Sequence, residues 1–255
     1  MRTDLTYAGA LRLLAERQET KVRLGLGRVR RLLARLGDPQ EAYPAGHVAG
    51  TNGKGSTCAM LDSVLREAGQ RVGLYTSPHL NDVRERIRVG GRPIGEAAFA
   101  RAVGRVVAAE TEPLTYFELL TAAAFLHFRS ERVGVAVLET GLGGRLDATN
   151  VVRRPLACLI AAVALAHTDW LGKTLASVAR EKAGIFKRGS PAITAETKPA
   201  PLRVLRAAAA RLKAPWRELG PREGWRVLRT DWRKGRQLVG TPDGKRLAVG
   251  LLGSA

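Results

Sequence analysis

Apolar residues follow two spacings along this chain, and each spacing predicts a different element. Apolar positions that recur every three to four residues predict helices, and short continuous apolar runs predict strands buried on both faces. Helices are predicted near residues 5–17, 28–36, 58–68, 95–109, 116–129, 173–184 and 201–212. Strands are predicted at residues 46–50, 71–75, 133–139, 156–163 and 192–194, with a short extended segment at 87–93.

Strands alternate with helices along most of the chain. This order predicts an α/β fold with a mostly parallel sheet flanked by helices, joined by right-handed crossovers. The run Val133–Glu139 is apolar on both faces, which suits the centre of such a sheet. From Trp225 to Leu252 the pattern changes to alternating residues with turns at Lys234-Gly235 and Asp243-Gly244, which predicts a small antiparallel β region.

The composition is ordinary for a globular protein and indicates a cytoplasmic one. Of the 255 residues, 45% are hydrophobic and 25% are charged. No apolar run reaches the roughly 18 residues that span a membrane. Charged residues near the N-terminus argue against a signal peptide. The two cysteines, Cys58 and Cys158, show neither metal-ligand spacing nor a disulfide framework.

The net charge of +19 has two interpretations: a nucleic-acid binder, or a protein whose ligands are polyanions such as nucleoside triphosphates. The basic residues are scattered, and aromatic residues make up only 5% of the chain. Binders of single-stranded nucleic acid interleave aromatic and basic residues, and that pattern is not seen here. The charge therefore favours a solvated basic surface over a dedicated nucleic-acid site.

The segment His47–Thr57 reads His-Val-Ala-Gly-Thr-Asn-Gly-Lys-Gly-Ser-Thr and precedes a predicted helix. Its glycines allow backbone N–H groups to turn towards an anion, and the positive end of the helix dipole adds to the attraction. Lys54 is placed to reach terminal phosphates, and a hydroxyl to hold Mg²⁺. Gly55 separates Lys54 from Ser56, which breaks the usual G-x-x-x-x-G-K-[ST] pattern, so a plain glycine-rich turn before a helix is the alternative. The predicted phosphate contacts are Gly50, Thr51, Asn52, Gly53, Lys54, Gly55, Ser56 and Thr57.

Polar residues follow three of the predicted strands where those strands end. Ser77 follows the strand at 71–75, Glu139 ends the central strand, and His167 follows the strand at 156–163. Ligands of α/β sheets bind at the carboxyl ends of the strands. A carboxylate such as Glu139 can coordinate Mg²⁺ there. The alternatives are an acid satisfied by local backbone for Glu139 and a structural histidine for His167.

Five motifs in this order resemble one family. They are HVAGTNGKGST at 47–57, TSPHL at 76–80, TYFE at 115–118, ETGLGGRLDATN at 139–150, and HTDWLG at 167–172 followed by EKAGI at 181–185. Together they resemble the folylpolyglutamate synthase and dihydrofolate synthase group of the Mur ligase superfamily, over residues 20–252. The implied fold is the P-loop NTPase-like central domain of a Mur ligase. Residues 1–255 are then one N-terminal and central ATP-binding ligase domain.

The resemblance implies an ATP-dependent amide ligase that adds L-glutamate to dihydropteroate, to folate or to both. The substrate carboxylate attacks the γ-phosphate of ATP, and glutamate then displaces phosphate from the acyl phosphate. The implied catalytic residues are Lys54, Lys182 and His167, with ATP and Mg²⁺ required. The implied metal-binding residues are Ser56, Ser77, Glu139 and His167. Lys182 matches a lysine that the family carbamylates; from composition alone it would be a solvated helix lysine.

The resemblance also implies a binding site for the pterin substrate. Its residues are Leu24, Gly25 and Leu26, then Thr115, Tyr116, Phe117 and Glu118, and finally Leu146, Asp147 and Ala148. Phe117 either stacks on an aromatic ring of the substrate or belongs to the core. Arg84, Arg86 and Arg88 either attract a polyglutamate tail or form a solvated face.

The sequence departs from the family pattern in three places. Ala166 stands where an aspartate is usual, and Thr140 where a small aliphatic residue is usual. The family pattern also continues beyond Ala255 into a Rossmann-like C-terminal domain, which we expect to be absent from this chain. The expected protein is thus a truncated monomeric ligase that binds small molecules, without membrane or nucleic-acid partners. The alternative is a catalytically incompetent remnant that only binds nucleotide or pterin.

Overall fold

The structure, a computed structural model, describes residues 5–17, 23–220, 226–241 and 243–250. The predicted boundaries at Trp225 and Leu252 lie outside these ranges. The α-helices are α1 Tyr7–Glu16, α2 Gly27–Arg35, α3 Lys54–Glu67, α4 Glu96–Ala109, α5 Tyr116–Ser130, α6 Thr168–Leu171, α7 Leu175–Ala183 and α8 Pro199–Arg211. Short 3-10 helices span Pro39–Glu41, Val83–Arg86 and Ala148–Val151.

Eleven strands form two sheets in the described part of the chain. The strands are β1 Ala45–Ala49, β2 Val72–Tyr75, β3 Ile87–Val89, β4 Arg92–Pro93, β5 Val135–Glu139, β6 Ala157–Ile160, β7 Ala192–Thr194, β8 Trp216–Glu218, β9 Arg226–Asp231, β10 Arg236–Gly240 and β11 Arg246–Val249. The larger sheet has the order β4-β3-β2-β5-β1-β6-β7-β8. All its neighbouring strands are parallel except the β2–β3 and β3–β4 pairs at one edge. The predicted α/β fold with a mostly parallel sheet is confirmed.

The β5 and β1 strands occupy the centre of the large sheet, as predicted for the run at 133–139. All five residues of β5 are buried, because helices cover both faces of the sheet at this point. On one face, Leu138 joins the core formed with α4 and α5. On the other face, Val137 packs with Cys58 of α3. The carboxyl ends of β1, β2 and β5 therefore lie side by side along one edge.

The predicted antiparallel region near the C-terminus is confirmed as the three-stranded sheet β11-β10-β9. Its connections contain the predicted turns, with Gly235 and Gly244 at positive φ. The short strand β8 was not predicted from the sequence. Its residues, Trp-Arg-Glu, give no apolar run, because an edge strand of three residues has little buried surface.

Two predicted boundaries near the site were wrong. α3 begins at Lys54 rather than Cys58, because the turn leads directly into the helix from Gly53, which has a left-handed φ of 78°. β6 ends at Ile160 rather than residue 163, and the chain then runs along the phosphate-binding turn. His167 is therefore at the start of α6 and not directly at a strand end.

Candidate active site

The glycine-rich turn between β1 and α3 is held in place by the segment that follows β6. The Thr51 amide donates to the Ala162 carbonyl at 2.7 Å, and the Thr51 hydroxyl donates to the Ala164 carbonyl at 3.0 Å. A Cβ on Gly50 would lie 2.8 Å from the Ala161 Cβ, so only glycine allows this close approach. The first N–H groups of α3 then face an open turn, which is the geometry of an anion site at a helix N-terminus.

Lys54 and Glu139 meet beside this turn. The Lys54 Nζ lies 3.3 Å from the Thr51 carbonyl oxygen and 3.9 Å from the Glu139 Oε1. The other carboxylate oxygen, Oε2, accepts from the Ser77 amide at 3.1 Å. Burial raises the pKa of Glu139, while the Ser77 N–H and the Lys54 charge act to lower it. Glu139 is thus a buried carboxylate held by a distant strand end and not by local backbone.

The donor set around Glu139 fits magnesium in part. Carboxylate and hydroxyl oxygens are preferred Mg²⁺ ligands, and Mg²⁺ at nucleotides usually has few protein ligands. No group of three or more histidine, cysteine, aspartate or glutamate side chains suited to a metal is present within the described ranges. Ser56 is exposed in the first turn of α3, and Ser77 is near Glu139. Imidazole is not a preferred Mg²⁺ ligand, so the metal role of His167 rests on the resemblance alone.

Lys182 is buried beneath the phosphate-binding turn, on α7. Its Nζ donates to the Gly50 carbonyl at 2.7 Å. Burial, helped by the nearby charge of Lys54, lowers the pKa of Lys182 from 10.5 to about 8. The alternative of a solvated helix lysine is therefore wrong. A lowered pKa leaves more of the amine neutral, and a neutral amine is the form that carbamylation requires.

A cavity of 390 Å³ opens beside Lys54. It brings together most of the sequence-predicted residues, although they come from six separate segments. The predicted residues in its wall are Leu24, Gly25, Lys54, Ser77, Thr115, Tyr116, Phe117, Glu118, Leu146, Asp147, Ala148 and His167. Leu26, Ser56, Glu139 and Lys182 are outside this wall. Leu26 instead packs against the main core, and Glu139 and Lys182 are buried behind the turn.

Two acidic residues of the cavity wall accept hydrogen bonds from protein groups with their carboxylate oxygens. The Glu118 Oε2 accepts from the Thr115 amide and hydroxyl, both at 2.9 Å, and Glu118 also pairs with Arg28. Asp147 Oδ2 accepts from the Gly141 and Leu142 amides, both at 2.9 Å. Burial raises the pKa of Asp147. These carboxylates organise the cavity wall.

Phe117 lies in the cavity wall and also packs against the core, so stacking on a substrate ring stays a prediction. Its ring lies in the cavity wall, and it also packs 5.9 Å from the Tyr75 ring, centroid to centroid. A Cβ on Gly141 would meet the Phe117 ring at 2.6 Å, so glycine lets the ring lie flat against the loop.

Arg86 is a wall residue that sequence reasoning misjudged. The alternating arginines suggested a solvated strand face, but Arg86 ends a 3-10 helix and is buried. Its Nε donates to the His79 Nδ1 at 2.8 Å, and its guanidinium lies 5.2 Å from the Tyr116 ring centroid. The TSPHL motif at 76–80 was the signal that could have identified Arg86 as a site residue, because the resemblance placed this neighbouring segment beside the site.

Comparison with known proteins decides the family. The model of the Mur ligase middle domain matches residues 48–211, which include the phosphate-binding turn, Glu139 and Lys182. The chain belongs to the Mur ligase family. In this Mur ligase domain the matched region runs from β1 to the end of α8. It therefore contains nearly all of the motif residues and all strands of the large sheet except β8.

Its relatives are folylpolyglutamate and dihydrofolate synthases. A dihydrofolate synthase/folylpolyglutamate synthase of Bacillus subtilis is 44% identical over 221 residues, covering 84% of this chain and 51% of that protein. The solved structure of E. coli FolC in complex with DHPP and ADP has a TM-score of 0.80 at 36% identity, covering 99% of this chain and 58% of that one. The apo form of L. casei FPGS has a TM-score of 0.87 at 34% identity, with coverages of 98% and 63%.

The matched part of the chain covers between 21% and 51% of the length of the curated relatives compared. Within the described ranges, no helix is long and apolar enough to cross a membrane.

Proposed function

We propose that this chain forms the ATP-binding and acceptor-binding part of an ATP-dependent amide ligase. The reaction is addition of L-glutamate to the carboxylate of dihydropteroate, of a folate, or of both. One observation carries the proposal: a single cavity places Lys54 of the phosphate-binding turn beside the three segments predicted to hold a pterin. The named activities of the relatives agree with it.

In the proposed reaction the acceptor carboxylate lies in the cavity with its reacting oxygen towards Lys54. That oxygen attacks the γ-phosphorus of ATP, and ADP leaves. The amine of glutamate then attacks the acyl carbon, phosphate leaves and the amine loses a proton. Phosphoryl transfer depends on positioning and charge neutralisation more than on covalent help from the protein. Lys54 and the N–H groups of α3 supply positive charge at the phosphates.

Ser56, Ser77 and Glu139 are the residues proposed to hold magnesium, with His167 beside them. The ion would neutralise phosphate charge during transfer. Glu139 contributes a carboxylate that burial disfavours as an anion, so a nearby cation stabilises its charged form. Carbamylation of Lys182 would exchange a buried cation for an anionic group behind the turn. We propose Lys182 as the modified residue on this basis and on its lowered pKa.

Residues 1–255 are proposed to act as one domain, with β9–β11 as a small β subregion. In the relatives' longer chains, a Rossmann-like C-terminal domain is proposed to complete the glutamate side of the site.

The test is phosphate release from ATP by the purified chain, with Mg²⁺, dihydropteroate and L-glutamate each omitted in turn. We expect release that depends on all three additions and disappears in Lys54→Ala. Lys245→Ala is the matched control, because Lys245 is an exposed lysine in the turn just before β11. Turnover that survives Lys54→Ala would refute the proposal.

A second candidate is a protein that binds nucleotide or pterin without turnover. Calorimetry with ADP·Mg²⁺ and with dihydropteroate separates the two. Binding of both ligands without phosphate release, even when glutamate is saturating, favours the second candidate. Binding of neither ligand by a folded chain refutes both candidates.

A further inference from the structure

His47 belongs to the phosphate motif by sequence, but its side chain forms its hydrogen bond with Thr149, which lies outside the phosphate-binding turn. It is fully buried on β1. Its Nε2 lies 2.8 Å from the Thr149 hydroxyl oxygen. The Nδ1 has no hydrogen-bond partner among the described residues. Buried polar side chains are normally hydrogen-bonded, and Thr149 is the hydrogen-bond partner of His47.

The Thr149 hydroxyl has two neighbours, which settles the direction of both hydrogen bonds. It lies 2.5 Å from the Asp147 Oδ1, and a carboxylate can only accept, so the hydroxyl donates its proton to Asp147. The hydroxyl oxygen must then accept from His47, which places the imidazole proton on Nε2. Burial, with the charge of Lys187 as a smaller cause, lowers the pKa of His47 to about 3, so the ring stays neutral.

The line of hydrogen bonds continues from Asp147 to the cavity. Its second oxygen, Oδ2, accepts from the Gly141 and Leu142 amides at 2.9 Å. Gly141, Leu142 and Asp147 all lie in the cavity wall. A chain of hydrogen bonds, converging on Asp147 from both sides, thus links the middle of β1 to the loop that lines the acceptor side of the cavity. Each link fixes the orientation of the next.

We propose that His47 is a positioning residue for the acceptor side of the cavity, acting through Thr149 on Asp147 and the 141–142 backbone. The phosphate motif then serves two sites: Gly50 to Thr57 face the nucleotide, and His47 supports the wall that faces the acceptor. This inference rests on the proposed function only where it assigns that wall to the carboxylic acid substrate.

Amide hydrogen exchange of the full chain tests the relay without any ligand. His47→Leu removes the donor, and His47→Gln keeps an N–H that can reach Thr149. We expect the protection of the Gly141 and Leu142 amides to fall about tenfold in His47→Leu and to return in His47→Gln. Amides of the remote strand β10 serve as the internal control. Equal loss at β10, or no loss at 141–142, would overturn the proposal.

Thr149→Val removes the hydroxyl that links His47 to Asp147 and changes the side-chain volume little. This variant tests the same chain of hydrogen bonds if His47→Leu does not fold. Its loss of protection at 141–142 should match that of the double variant, because both changes break one chain. Additive losses would contradict the relay.

Calorimetry then separates this inference from the proposed function. Thr149→Val should weaken dihydropteroate binding about tenfold and leave the dissociation constant of ADP·Mg²⁺ within about twofold. Equal weakening of both ligands would refute the assignment to the acceptor side. If the unsubstituted chain binds no dihydropteroate, the proposed function fails, and the exchange experiment still decides whether the relay exists.

Discussion

Replacing Arg28 by methionine tests how the acceptor side of the cavity is held. Arg28 lies in the first turn of α2, and its Nε donates to the Glu118 Oε1 at 3.1 Å. Its NH2 group also donates to the Arg23 carbonyl at 2.7 Å, and Arg23 lies in the cavity wall. One guanidinium therefore ties the chain before α2 to the start of α5. Methionine keeps most of the side-chain length and removes the charge.

The expected cost follows from burial. The Arg28 and Glu118 side chains are 13% and 5% exposed. Removing one member of a buried ion pair costs about 3–5 kcal/mol, since it leaves a buried charge without its partner. Thr115 still donates twice to Glu118, so we expect a cost at or just below the bottom of that range, about 2–3 kcal/mol. Arg31→Met is the matched control on the same helix. Arg31 pairs with Glu112, but these side chains are 62% and 37% exposed, so we expect less than about 1 kcal/mol.

The assay is urea unfolding followed by circular dichroism, with both variants and the unsubstituted chain compared at one pH and salt concentration. Arg28→Met should lower the midpoint clearly and Arg31→Met only slightly, at unchanged m-value. Adding Glu118→Gln to Arg28→Met should recover part of the loss, because the unpaired charge is gone. Equal destabilisation by the two arginine substitutions would refute the reasoning.

Three further predictions concern the turn and its buried groups. Gly50→Ala should lower the free energy of unfolding in urea by about 1–3 kcal/mol, because the new Cβ would approach Ala161 closely. Gly46→Ala should cost far less, because its Cβ would meet only a backbone oxygen at 4.0 Å. Equal effects of the two substitutions would contradict the packing argument. The pKa of His47 is lowered from 6.5 to about 3 in the folded chain, so the unfolded chain binds more protons between these pH values. The free energy of unfolding should therefore fall as the pH drops from 6.5 towards 3. His47→Gln should flatten that fall, and an unchanged slope would refute the assignment of this titration to His47. The pKa of Lys182 is lowered from 10.5 to about 8, so its contribution to the free energy of unfolding should rise with pH between these values in CO₂-free buffer. Lys182→Met should remove this rise. Parallel pH profiles of the parent chain and the variant would contradict the prediction.

The predictions that succeeded were those with a local cause. The run at 133–139 is apolar on both faces, and this alone placed it at the centre of a parallel sheet. The turns at Gly235 and Gly244 have the backbone that glycine favours. The start of α3 was missed because a glycine-rich stretch shows no apolar period, although the turn geometry makes it helical from Lys54.

The interpretation of single polar residues was less secure. For Arg86 the alternatives were a contact with a polyglutamate tail and a solvated face, and the second is wrong because Arg86 is buried in the cavity wall. Lys182 would have been a surface lysine by composition, and only the resemblance pointed elsewhere. His47 had no separate role at all. In each case the error concerned burial, which depends on which distant segments pack over the residue.

The amino-acid sequence by itself determined the order of most elements and the phosphate-binding turn, because each depends on residues close together in the chain. The segments expected at the cavity came from the family resemblance. Only the tertiary structure decided which groups pair. Lys182 meets the Gly50 carbonyl across 132 residues, and His47 meets Thr149 across 102. Such pairings set burial, protonation and hydrogen-bond direction. They follow from how the sheet and its helices pack, a property that no local spacing contains.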